Sequence, residues 1–236
     1  MRISLPIIVR KQLAALLICL VAVAALPGYA DDTLKVAGGK QVTASAAEEL
    51  GQVPDGLGLS PGDAVADFGI KTFEGVPTSF NELLEDAPLL VIFYRGGWSP
   101  YCNFQVRELT MGYNDFKARG VLPVLISVDR VGGAEEVQKT YEIPFPVLSD
   151  PQLAALNEFN VRHEIGEEGY AMLQGYGVDL EDWAGQHHHV IAKSSAFIID
   201  QAGIVKWSHV SDDFKVRPSN KQLLSVIDKL RGDGEI

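Results

Sequence analysis

The sequence predicts an α/β domain, and three observations carry that expectation. Apolar runs of strand length alternate with stretches of helical period between Leu89 and Phe159. Two further apolar runs flank Gln201-Ala202-Gly203 at hairpin spacing. A capped amphipathic helix then closes the chain, and strands alternating with helices are the signature of an α/β fold.

The first thirty residues stand apart from that pattern. Arg2, Arg10 and Lys11 form a basic start, Leu13 to Leu26 is an apolar run short of a comfortable membrane span, and Gly28-Tyr29-Ala30 is a small-x-small cleavage site. Residues 1–30 are therefore expected to be a secretory signal cut after Ala30, leaving a periplasmic or secreted protein with no stable membrane insertion. Ile18 stands where a lipid-anchored Cys19 would need a small residue. The chain carries 20 basic and 31 acidic residues, a net charge of −11; loss of three basic residues with the signal leaves 17 against 31, or about −14. So acidic a surface argues against nucleic acid and anionic membranes as partners.

Residues 31–58 read as an N-terminal extension with a short helix around Ala44–Leu50, and residues 59–236 as the domain. Ser79 and Glu82 form a capping box that opens a helix to about Glu85. Leu89 to Tyr94 is an unbroken apolar run, as in a parallel strand buried on both faces. Arg95-Gly96-Gly97-Trp98 ends it. Ser99 is then a natural N-cap and Pro100 a natural first helical residue, so Cys102 takes the third helical position. Cys102, Val106, Leu109, Tyr113 and Phe116 share one face of a single helix that runs to Gly120. Val121–Asp129 is a second buried strand, Gly133–Tyr141 a helix, and Phe145–Asp150 a short strand. Asp150-Pro151 caps a helix to about Phe159. Ala196–Asp200 and Ile204–Val210 form the hairpin, and Ser219 with Gln222 caps a last helix to about Leu230.

Chemistry concentrates at Cys102. The chain has two cysteines, and cleavage of the signal would remove Cys19, leaving Cys102 unable to form an internal disulfide. A helix N-terminus, with Arg95 before it and Arg107 one turn on, favours the thiolate. The same place also suits a small buried hydrophobe. Residues 162–195 follow no clear pattern. Within them His187, His188 and His189 could bind a transition metal with His163 or His209, but adjacent side chains do not face one ion from a regular element, and a surface loop is the commoner fate. No metal is assigned.

The segment FYRGGWSPYC resembles the active-site segment of the peroxiredoxins, the alkyl hydroperoxide reductase and thiol-specific antioxidant family, which read FYP and then x-x-x-T/S-x-x-C. Phe93 and Tyr94 match, Ser99 takes the hydroxyl position and Cys102 that of the peroxidatic cysteine. RGGWSPYCNFQVREL is similar to a branch that usually reads G-x-W-C-P-Y-C-N, with Ser99 here in place of the first cysteine. Gly62, Asp63, Asp67, Phe68 and Gly75 fit the family's entry segment, whereas Ala66 stands where proline is usual. SVD, FPVLSDP, FIIDQAGIV and WSHVSDDFKVRPS extend the likeness to the C-terminal part of the chain.

That resemblance implies a thioredoxin-like sandwich, a central mixed β-sheet flanked by helices. It also implies a one-cysteine thiol peroxidase without cofactor, with a peroxide as substrate, an external thiol reductant (a thioredoxin-like protein or a small thiol) as partner, and a homodimer as the assembly the family allows. Cys102 is the implied nucleophile and Ser99 its hydroxyl partner. The arginines usually found after L-x-D and before FIID are absent, so Arg95 is nominated as the substitute cation, ahead of Arg162 and Lys193. Trp98 and Tyr101 are candidates to line an apolar peroxide pocket, or simply to pack the turn. Without the first cysteine, dithiol exchange is disfavoured. A monothiol disulfide-exchange protein and a redox-degenerate binding module remain the alternatives.

Overall fold

The computed structural model describes residues 42–236. The signal expected at 1–30 and residues 31–41 of the extension lie outside the described residues.

A seven-stranded mixed sheet organises the domain. Its centre is three parallel strands, β4 (Leu89–Phe93), β5 (Leu122–Ser127) and β6 (Val147–Ser149). β9 (Ser195–Ile199) pairs antiparallel with β4, and β10 (Val205–Val210) with β9, which is the expected hairpin. On the other edge β2 (Gly69–Thr72) runs antiparallel to β6, and β3 (Pro77–Ser79) closes the order β10-β9-β4-β5-β6-β2-β3.

Period-two alternation along β4 divides the core. Leu89, Val91 and Phe93 face one apolar layer with Phe197, with Phe80 and Leu84 of helix α1 (Phe80–Leu84), and with Leu156 and Phe159 at helix α5 (Ala154–Glu158). Leu90, Ile92 and Tyr94 face the other. There they meet Cys102, Val106 and Leu109 of α2 (Pro100–Met111), Phe116 of α3 (Tyr113–Ala118), Ala134 and Val137 of α4 (Val131–Tyr141), and Leu223, Ile227 and Leu230 of α8 (Asn220–Gly232). All five residues of β4 are buried, as its unbroken apolar run predicts. Both capping boxes form, Ser79 with Glu82 and Ser219 with Gln222.

Three local expectations are corrected. The helix expected from Ser99 to Gly120 is interrupted at Gly112, because the Asn220 side-chain amide donates 2.6 Å to the Glu108 carbonyl and occupies the space a side chain at residue 112 would need. No helix forms at Ala44–Leu50. Instead β1 (Thr43–Ala44) pairs parallel with β11 (Val216–Arg217), and a turn follows in which Glu49 and Leu50 both donate to the Ala46 carbonyl. Asp150 does accept the Ala154 and Leu156 amides at 2.7 and 2.9 Å, yet the residue at the α5 N-cap is Leu153, in the left-handed region. The stretch without a clear pattern folds as β7 (Arg162–Glu164), α6 (Glu167–Gly175), α7 (Leu180–Ala184) and β8 (Val190–Ala192), with β7 and β8 paired antiparallel.

Candidate active site

Cys102 lies at the start of α2, beyond the C-terminal end of the parallel strand β4. Between them the chain turns through Arg95–Trp98. Gly96 has φ of +146°, and a side chain there would run into Asp129 and Trp98, so only glycine suits the turn. A side chain at Gly97 would strike Val137 and come within 3.1 Å of Trp183 on α7. The patternless segment thus supplies the back wall of the turn. The front is tied by a carboxylate: Asp129 Oδ2 accepts the Gly97 N–H at 2.8 Å and the Ser127 hydroxyl at 2.9 Å. Burial pushes the Asp129 carboxyl up to about 7, against those two hydrogen bonds.

The Cys102 sulfur is fully buried and free of any disulfide. Burial alone would raise its pKa. It is nonetheless lowered: desolvation is the largest single influence, but the Arg217 charge, the Ser99 hydroxyl, the Arg95 charge and the Arg95 N–H together outweigh it. Two donors reach the sulfur directly, Arg217 Nη2 at 3.3 Å and the Arg95 backbone N–H at 3.4 Å. Ser99 Oγ favours the thiolate from its place near the sulfur, although in the resting site it forms no hydrogen bond of ordinary geometry. Ser99 occupies the N-cap with Pro100 following it, as the sequence predicts, but its side chain makes no capping hydrogen bond.

Arg217 is the residue that motif reading missed. It is 2% exposed, and every edge of its guanidinium is engaged: Nη1 bonds Gln105 Oε1, Nε donates 3.0 Å to the Phe214 carbonyl, and Nη2 serves the thiol. Its backbone is fixed from the far end of the chain, since Ser45 N donates 3.0 Å to the Arg217 carbonyl and Thr43 N donates 2.9 Å to that of Lys215. No carboxylate pairs with it among the described residues. The cation absent from the two usual family positions therefore arrives on β11. Its only sequence signal was a place within WSHVSDDFKVRPS.

The nominated cations divide. Arg95 is at the site, its guanidinium 4.7 Å from the Trp98 ring and 4.2 Å from that of Phe214, while the Tyr101 ring meets Phe214 edge-on at 5.3 Å. Trp98 thus contacts Arg95 directly, and Tyr101 reaches it through Phe214. Arg162 instead pairs with Glu164 at 3.2 Å and Lys193 with Asp212 at 3.1 Å, and neither bonds the sulfur. The adjacent histidines do not converge on one point: His187 and His189 bond the two oxygens of Glu181 at 2.7 and 2.8 Å, and His188 bonds the Pro151 carbonyl at 3.2 Å. His209 lies apart, between Ser45 and Gly51. Among the described residues no cluster of three His, Cys, Asp or Glu has the arrangement of a metal site.

Known proteins share this architecture. Peroxiredoxin Q of the Sedum lineare chloroplast is 29% identical over 119 residues, covering 48% of this chain and 63% of that one, so the chain spans under two thirds of that relative's length. The crystal structure of peroxidoxin BcpB from Mycobacterium tuberculosis superposes with a TM-score of 0.57 at 21% identity, over 75% of this chain and 97% of the other. Reduced Prx3 of Vibrio vulnificus in complex with hydrogen peroxide superposes at 0.59 and 14% identity, over 72% and 99%. At such identities the two structures speak for the thioredoxin-like fold. Residues 61–208, which hold β4, the turn and Cys102, match the AhpC/TSA family, and the chain belongs to that family of peroxiredoxin-like oxidoreductases.

Proposed function

We propose that the protein is an exported one-cysteine thiol peroxidase that reduces hydrogen peroxide or alkyl hydroperoxides at Cys102. The observation that carries the reading is a fully buried sulfur whose thiolate is nevertheless favoured, by an arginine N–H at 3.3 Å and a backbone N–H at 3.4 Å. The thiolate attacks the terminal oxygen of the peroxide. A sulfur–oxygen bond forms, the O–O bond breaks, the leaving oxygen takes a proton, and Cys102 becomes a sulfenic acid while the peroxide is reduced to an alcohol or water. Charge developing on the leaving oxygen is stabilised by the Arg217 charge beside the sulfur.

Cys102 is the only cysteine among the described residues, and Cys19 falls within the expected signal. That supports reset by an external thiol, either a small one or a thioredoxin-like protein. Export rests on the pattern of residues 1–30. Monothiol exchange is the weaker reading, because it requires a protein disulfide to reach a residue with no exposed surface, whereas peroxidase turnover with a small thiol brings only small reactants to it.

The experiment is peroxide consumption by the purified protein with dithiothreitol or a thioredoxin system as reductant. Turnover that disappears in Cys102→Ser is expected. Turnover that survives the substitution would place the chemistry elsewhere.

A further inference from the structure

Arg95 is held at the site without being used up by it. Its backbone N–H serves the sulfur, but its guanidinium forms no hydrogen bond and no ion pair among the described residues. The group lies between the Trp98 and Phe214 rings, at 4.7 and 4.2 Å. Burial pushes its pKa down, and the charges acting on it are those of Cys102 and Arg217, with no carboxylate in play. The sulfur already has its side-chain donor in Arg217. The Arg95 guanidinium, over both rings, is left with its N–H groups unassigned.

Other cations gather on this side. Lys215 Nζ is 5.5 Å from the same Phe214 ring, and the His163 pKa is held down first by burial and then by the charges of Lys193 and Arg95. Lys193 is answered by Asp212. On a chain of net charge −11, the charges of Arg217 and Arg95 at the reactive sulfur draw anions toward it.

We propose that the Arg95 guanidinium, stacked between Trp98 and Phe214, receives an anionic group of the substrate, so that the preferred peroxides are organic hydroperoxides bearing a carboxylate. This deepens the peroxidase reading and rests on it. A carboxylate accepts the paired N–H donors of an arginine fork in bidentate fashion. The chemistry at sulfur is unchanged: the thiolate takes the terminal oxygen, the O–O bond breaks, and the protonated product is the hydroxy acid.

The test uses the reduced full chain with three oxidants: para-carboxycumene hydroperoxide, its methyl ester, and hydrogen peroxide. Cys102 sulfenate formation is timed for each. The acid is expected to react about tenfold or more faster than the ester, the range of a hydrogen bond to a charged group, with a preference that shrinks as salt is raised. In Arg95→Gln the acid-to-ester ratio falls toward one, and Arg95→Lys, which keeps the charge but loses the fork, retains part of it. Because the readout is a ratio within each protein, a general loss of reactivity cancels. Equal wild-type rates for acid and ester, with hydrogen peroxide reacting, would overturn the anion site and leave the peroxidase reading standing. No reaction with any of the three would overturn both.

Discussion

Replacing Arg217 with glutamine removes the one side-chain donor bonded to the Cys102 sulfur among the described residues. Two consequences follow from the geometry. The charge-assisted N–H···S contact at 3.3 Å is lost, which is worth about 1.5–3 kcal/mol for a hydrogen bond to a charged group. The thiol also loses the strongest of the influences that counter its desolvation, so its titration midpoint moves upward. Converted at 1.36 kcal/mol per decade, the first effect alone slows attack on peroxide by about ten- to hundredfold. The assay is stopped-flow oxidation at several pH values, with the thiolate followed by its ultraviolet absorbance. Arg217→Lys serves as the control for packing, since it retains the charge while losing the bonds to Gln105 and the Phe214 carbonyl. Unchanged rate and midpoint in Arg217→Gln would refute the assignment of this arginine to the thiolate.

Other expectations follow from the same structure. Deleting residues up to Ser45 removes the strand partner of β11 and two backbone hydrogen bonds to the Arg217 segment, so the thiol midpoint should again rise; an unmoved midpoint would show that the extension does not position Arg217. Asp129 is held at about 7 in the fold against 3.8 for the free group, so the folded state keeps a proton that the unfolded chain gives up. Stability through this group therefore falls as pH rises from about 4 to about 7, by up to roughly 4 kcal/mol. Urea denaturation at pH 5 and pH 8 should show that loss in the wild type and less of it in Asp129→Asn. Phe159 packs against Phe68, Phe80, Phe93 and Phe197 at centroid distances of 5.0–6.3 Å, and Phe159→Ala should cost about 3–5 kcal/mol in the same measurement. A loss under about 1 kcal/mol would mean that the layer on that side of the sheet repacks.

What the sequence conveyed, and what it did not, divides along contact range. β4 was legible because a strand buried on both faces must be apolar throughout, and the start of α2 because Ser99 and Pro100 are local signals. The capping boxes of α1 and α8 are likewise local, involving residues three apart. Arg217 was not legible. It acts on a sulfur 115 residues earlier, and nothing local separates a guanidinium to be buried against Gln105 and Cys102 from one left in water. The break in the central helix has the same origin, since Asn220 reaches the Glu108 carbonyl from 112 residues away. Trp183 at the back of the turn belongs to a segment without a clear sequence pattern, because α7 has only five residues, too few to display a period. Asp129 could be placed at the end of a buried strand, but its proton affinity depends on how completely the fold excludes water.

The central claim is that the fold activates Cys102 toward peroxide, and one measurement tests it most directly. The reduced protein is mixed with a stoichiometric amount of hydrogen peroxide, and dimedone-trapped sulfenate at Cys102 is followed over time by mass spectrometry, with glutathione oxidised under the same conditions as the reference thiol. The account predicts a Cys102 adduct that forms far faster than glutathione reacts, and more slowly when Arg217 is replaced. A rate no greater than that of glutathione would contradict it.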